Sequence, residues 1–202
     1  MERRAGLHLL DPMKVVAESR RTALAAACLF WAAGASWMEG KVFLTQEEAL
    51  RLAFPAGTKV ERRTVFLNPV EQETVKKLSG AEHLPSALAT CYVGVRDGRE
   101  VGTAYFDAHV VRTETETLMI LVDPGGAIAR IEVLAFAEPE EYLPRSRWYA
   151  QFSGRKLDDE LAVARGIRPV SGATLTVRAT TKAARRILAL HQVIHAPAPK
   201  PQ

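Results

Sequence analysis

The chain has 202 residues, 48% hydrophobic and 25% charged, which places it among folded globular proteins and excludes wholesale disorder, collagen and low-complexity scaffolds. That length fits one domain of ordinary size with an appended segment. Beyond residue 35 there are 22 Lys and Arg against 20 Asp and Glu; a nucleic-acid partner calls for a concentrated basic face with interleaved aromatics, so that class is set aside.

The first 35 residues read as an export signal. Arg20 and Arg21 precede an apolar run, Thr22 to Ala32, and Ala33, Gly34 and Ala35 follow it; a basic start, a short apolar middle and small residues at the cut are the three parts of a secretory leader. Eleven residues of helix cover only about half of a ~30 Å hydrocarbon core. Cleavage after Ala35, retention as an anchor and a buried core helix all stay open. Met13 followed by Lys14 gives a leader of more ordinary length and points to translation starting there. Cys28 has Ala25 three positions before it, which argues against a lipoprotein site. Cys28 and Cys91 form no CxxC pair and have no zinc-ligand spacing with histidine.

The next elements follow in chain order. Thr45 and Glu48 form a capping box for a helix over about 46 to 54, ended by Pro55. Thr58 to Leu67 reads as a strand. Asn68, Pro69 and Glu71 then open a second helix that reaches about Leu78. From Ala89 to Ala137 the hydrophobic period becomes two, predicting four antiparallel strands. Cys91 to Arg96 and Glu100 to Val111 flank an Asp97-Gly98 turn; Thr117 to Val122 and Ile128 to Phe136 flank Asp123 to Gly126. Short helices are predicted over Arg145 to Gly154 and Asp158 to Arg165. A long one runs from about Leu175 to Ile194, burying Ala179, Ala183, Ile187, Leu190 and Ile194 and turning Arg178, Lys182, Arg185 and Arg186 outward. The class is α+β, an antiparallel sheet with flanking helices. Its parts are a leader or anchor over 1–35, a helix-strand-helix part over 41–84, the main domain over 85–195 and a loose proline-rich tail over 196–202.

Chemistry gathers just before the last helix. Ser171, Gly172, Ala173, Thr174, Leu175 and Thr176 place small residues and hydroxyls where the chain turns into it. Free amides at a helix start, with the positive end of its dipole, favour a phosphate. Gly172 lets the backbone come close, and Thr174 sets a hydroxyl beside the anion; an ordinary capped helix uses the same residue types. His83, His109 and His191 have no partners at ligand spacing, no metal site is expected, and Thr113 to Thr117 is given no site role. A hydrolase with Thr174 as nucleophile lacks an identifiable base.

SGATLT leading into an alanine-rich basic helix resembles the flavinylation motif of the FMN-binding domain, the module shared by the G subunit of Rnf and the C subunit of Nqr electron-transfer complexes and by exported stand-alone proteins. The resemblance covers roughly residues 85 to 192, taking in the strand pair around Asp123 to Gly126, Glu132 to Tyr142 and Arg147 to Leu157. It implies FMN joined through its phosphate to Thr174 by a flavin transferase with FAD as donor. Ser171, Gly172 and Ala173 would be the recognition turn, and Leu175 and Thr176 would open the helix whose amides face the phosphate. Glu138, Pro139, Tyr142, Trp148 and Phe152 are candidates to wall the isoalloxazine ring; without the resemblance, Trp148 and Phe152 at i and i+4 read as a helix's core face. Arg168 stands where the family has an acidic residue, and Pro169 follows it. The implied function is an exported electron carrier, held in the periplasm or on the outer face of the inner membrane, with redox partners such as cytochromes or a membrane complex. The alternative is a non-flavinylated binding or structural subunit.

Overall fold

The computed structural model describes residues 41–196. The leader, Cys28 and all but the first residue of the proline-rich tail lie outside the described residues. Within them the fold is α+β: one open six-stranded antiparallel sheet with helices on both faces.

Strand β1 (Lys41–Val42) lies at one edge. Helix α1 (Gln46–Ala53) starts at the Thr45–Glu48 capping box, with both reciprocal bonds made. Strand β2 (Lys59–Phe66) leads to helix α2 (Pro69–Ser79), which has its own box from Asn68 and Glu71 and stops at left-handed Gly80. Four strands then run back and forth: β3 (Leu88–Arg96), β4 (Arg99–Val110), β5 (Thr115–Val122) and β6 (Ile128–Phe136). Asp97 and Gly98 both have positive φ, 52° and 74°, as a two-residue hairpin turn of this sequence requires.

The strand order is β1-β6-β5-β4-β3-β2. The four strands expected after residue 88 are present, and the sheet has two more. β2 pairs with β3 from Lys59↔Val95 to Phe66↔Leu88, so the front strand belongs to the same sheet. β1 pairs with β6 through two residues only, too short a run for periodicity to mark.

A 3₁₀ turn (Glu140–Tyr142), helix α3 (Ser146–Tyr149), a second 3₁₀ turn (Ala150–Phe152) and the long helix α4 (Thr174–Ile194) complete the fold. Cys91, Val93, Tyr105, Leu118 and Ile120 on one sheet face pack against Val177, Ala184 and Leu188 of α4, and Phe152, Leu161 and Ile167 join that core. Ala104, Met119, Leu121 and Leu134 on the other face meet Ala49 and Phe54 at α1.

Two expectations are corrected. Asp158 to Arg165 is a series of turns, not a helix. The Asp158 carboxylate accepts the N–H groups of Glu160 and Leu161, each at 3.0 Å, Ala164 is left-handed at φ 65°, and fully buried Leu161 and Ile167 pin the loop to the core. An aspartate that bonds its own downstream amides offers the backbone an alternative to helix. Second, Arg185 and Arg186 do not face solvent. Arg185 donates to the carbonyls of Ser79, Asp158 and Leu161, and Arg186 forks onto Asp107. A guanidinium can lie over a helical core face while its fork collects acceptors from neighbouring elements.

Candidate functional site

Helices α1 and α2 carry full capping boxes; α4 begins at Ala173 with no side chain bonded to its amides. Gly172 precedes it at φ +84°, with open space where a Cβ would stand. Glycine reaches this conformation without the cost other residues bear. The result is a bare amide end on a 21-residue helix, where partial positive charge and unbonded N–H groups coincide.

That end closes one side of a recess of about 240 Å³, lined by Val111, Arg112, Glu138, Tyr142 and Gly172 to Thr176. Its other side is a nest built around Glu138. One carboxylate oxygen accepts the N–H groups of Arg112, Thr113 and Glu114 at 3.0, 2.7 and 2.9 Å. Burial alone would raise this carboxyl, but the three amides hold it below the usual range. Glu138 thus fixes the turn that carries Arg112, whose guanidinium lies 5.6 Å from the centre of the Tyr142 ring, within cation–π range.

The three hydroxyls of the turn differ. Ser171 is exposed and faces a separate groove. Thr176 is 1% exposed and donates to the Tyr142 carbonyl at 2.7 Å, tying the first turn of α4 to the recess wall. Thr174 lines the recess and is exposed. Leu175 beside it is 46% exposed, an apolar surface at the mouth.

Glu138 and Tyr142 therefore stand at the recess with the turn. Trp148 and Phe152 do not. Phe152 is fully buried in the main core, and Trp148 is 8% exposed, donates its indole N–H to the Arg168 carbonyl at 2.8 Å and borders the separate groove. Their rings meet edge to face at 5.3 Å, so the i, i+4 spacing marks a core pair, as periodicity alone indicates. Arg112 was missed by sequence reasoning; nothing local marks it, since Glu138, 26 residues later, places it.

Beneath α4 lies a second polar cluster that sequence reasoning also missed. Glu116, within the Thr113 to Thr117 run, has no exposed surface. Its carboxylate accepts from Tyr149 at 3.0 Å, Thr180 at 2.9 Å and His109 at 3.1 Å. The other ring nitrogen of His109 meets Asp107 at 2.8 Å. Both nitrogens face carboxylates, so both donate and the ring is imidazolium. Burial would lower its pKa, but Asp107 and Glu116 raise it to about 9. Asp107 would be raised by burial, yet His109 and Arg186 hold it below the carboxylate range. Tyr149 is pushed far up by burial and by Glu116. Two carboxylates and two cations balance, which is what permits charge at this depth. The available signal was alternation: Asp107 and His109 share a strand face with Tyr105, as Glu116 does with Leu118.

Among the described residues no group of three or more His, Cys, Asp or Glu could hold a metal ion, and no helix is long and apolar enough to cross a membrane. No curated protein matches the chain. A sequence model of the FMN-binding domain matches residues 113–189, a stretch that runs from the Glu138 nest through the turn into α4 and holds every lining residue of the recess except Val111 and Arg112. The bare amide end, the open Gly172 and the Arg112 charge fit a phosphate, the exposed apolar mouth fits a flat ring, and the similarity of residues 113–189 to the FMN-binding domain family supports a flavin-binding role.

Proposed function

We propose that the protein is an exported electron carrier whose FMN is held by a phosphoester to Thr174. The observation that carries this reading is the difference among the three hydroxyls: Thr174 alone is exposed, lines the recess and lies at the uncapped amides. In the attachment step, catalysed by a flavin transferase, the Thr174 Oγ attacks the FMN-side phosphorus of FAD. The bond to the AMP oxygen breaks, AMP leaves, and the hydroxyl proton passes to a base on the transferase. The α4 amides and Arg112 stabilise the phosphate charge in place, and Glu138 keeps Arg112 in position by holding its turn.

Bound FMN supplies two-electron uptake with one-electron release. The protein's task is to tether the group and leave part of it open to partners. A recess of about 240 Å³ is smaller than the ~300 Å³ at which pockets begin to enclose a ligand of this kind, so it would hold only part of the group, with Leu175 and Tyr142 as the residues that would contact the ring. The apolar run and small residues before residue 36 support export, and a covalent tether keeps the cofactor at high effective concentration where free FMN is diluted. Its partners are then cytochromes or a membrane electron-transfer complex at the outer face of the inner membrane.

The test is coexpression with and without a flavin transferase, followed by denaturation and absorbance. Wild type made with the transferase keeps visible flavin absorbance after denaturation, and Thr174→Ala does not. A colourless wild-type chain under those conditions overturns covalent attachment and leaves the binding or structural subunit that Arg168, in the place of an acidic residue, otherwise favours.

A further inference from the structure

On the far side of the Ser171 to Ala173 turn from the recess lies an open groove of about 1140 Å³. Trp148 and Pro144, both buried, form part of its floor. Arg145, Arg147 and Arg168 line it with exposed side chains, and none of the three joins an ion pair among the described residues. A fourth arginine of the lining, Arg155, is occupied by the carbonyls of Gln151 and Gly166. The lining has one carboxylate, Glu141. In a chain nearly balanced in charge beyond residue 35, this is a local concentration of one sign.

We propose that this groove is the docking surface for the acidic face of a one-electron redox protein. Exposed guanidiniums with no internal partner favour carboxylates, which they can grip through paired hydrogen bonds. The groove, at about 1140 Å³, exceeds the ~1,000 Å³ upper range of small-ligand pockets, as suits a protein surface. Ser171 and Ala173 form one of its walls, and Ala173 and Thr174 face the recess behind, so a protein seated here stands one backbone turn from the attachment point. Attraction between opposite charges sets encounter rate and orientation. The Arg168 backbone is already engaged, its N–H on Gln151 and its carbonyl on Trp148, which leaves the side chain free for a partner. The identity of the partner rests on the electron-carrier reading; the charge of the surface does not.

The full chain is titrated with oxidised cytochrome b5, an acidic haem protein, at low and high salt. Binding is read by NMR line broadening and needs no flavin. Wild type binds at low salt and loses affinity steeply as salt rises. The triple variant Arg145→Glu, Arg147→Glu, Arg168→Glu binds at least about tenfold more weakly, while Arg62→Glu, Lys77→Glu, Arg99→Glu, equal in charge change and away from the groove, stays within about twofold. Arg168→Glu alone, with its backbone bonds intact, gives a smaller loss in the same direction if the triple variant fails to fold. Equal weakening by the two triple variants, undiminished binding by the groove variants, or the same dependence toward phosphatidylglycerol vesicles overturns the proposal. In flavin-loaded protein the rate of cytochrome reduction falls with the binding; a chain that docks but holds no flavin contradicts the electron-carrier reading alone.

Discussion

At its first turn α4 presents Thr174 and Leu175 to solvent and has no side-chain cap, whereas a turn and a half further on Thr180 is fully buried and donates to a carboxylate with no exposed surface. The two regions use polar groups in opposite ways. In the middle of the helix every charge has its partner, and the cluster holds α4 to β4, β5 and α3. At the end, donors are left unmatched beside a recess. The contrast teaches that a ligand site with bare amides needs a rigid mount, and that here the mount is electrostatic as well as apolar: Thr176 to the Tyr142 carbonyl, then Thr180 to Glu116, at successive turns of one helix face.

The largest expected effect comes from breaking the mount. Glu116→Ala removes the acceptor of three donors and leaves His109 with only Asp107 opposite; stranding a buried charge costs about 3–5 kcal/mol. Urea denaturation of the full chain reads it, and a loss below about 1 kcal/mol would show that the cluster is not holding the fold.

A comparable but reversible effect follows from pH. His109 titrates at about 9 in the folded chain against roughly 6.5 unfolded. A group raised on folding contributes stability that is complete below its unfolded value and is lost as pH rises through its folded one, here between about 6.5 and 9, on the order of 3 kcal/mol. Asp107, depressed on folding, acts at the other end: its contribution stands above the ordinary carboxylate value and disappears as pH falls through the folded one. His109→Gln should flatten the alkaline limb of the stability profile and also shrink the acid limb, because Asp107 keeps only Arg186 to hold it down; an unchanged alkaline limb would assign it to another group.

The smallest effect on stability should accompany a large one on the cofactor. Gly172→Ala meets no atoms but forces a Cβ onto a left-handed backbone, a cost of about 1–2 kcal/mol. If the turn shifts to relieve that strain, the amide end moves with it, so flavin incorporation falls sharply while the melting transition moves little. Full incorporation in this variant would mean that the turn's conformation is not what presents Thr174.

The sequence made the elements with local chemistry legible. Both capping boxes, the Asp97-Gly98 hairpin, the strands after residue 88 and the long last helix follow from signals within a few residues, and so did the turn at Ser171 to Thr176. What stayed hidden depends on partners far along the chain or brought opposite by strand pairing. Arg185 and Arg186 read as outward because their acceptors lie 24 to 106 residues away, Ser79, Asp158 and Leu161 for Arg185 and Asp107 for Arg186. His109 looked unpartnered because Glu116 sits across a strand pair, and the Thr113 to Thr117 run read as an exposed edge although one of its glutamates is the most deeply buried acid of the described residues. Trp148 and Phe152 show the converse: the resemblance suggested a ring wall, and the plain helical spacing was the better guide.

Peptide mapping after coexpression with a flavin transferase tests the central claim most directly. Trypsin does not cut before Pro169, so the turn lies in the fragment Gly166 to Arg178, which holds Ser171, Thr174 and Thr176. Fragmentation should place the mass of one FMN, less one water, on Thr174. An unmodified fragment, or FMN on Ser171 or Thr176, would contradict the account.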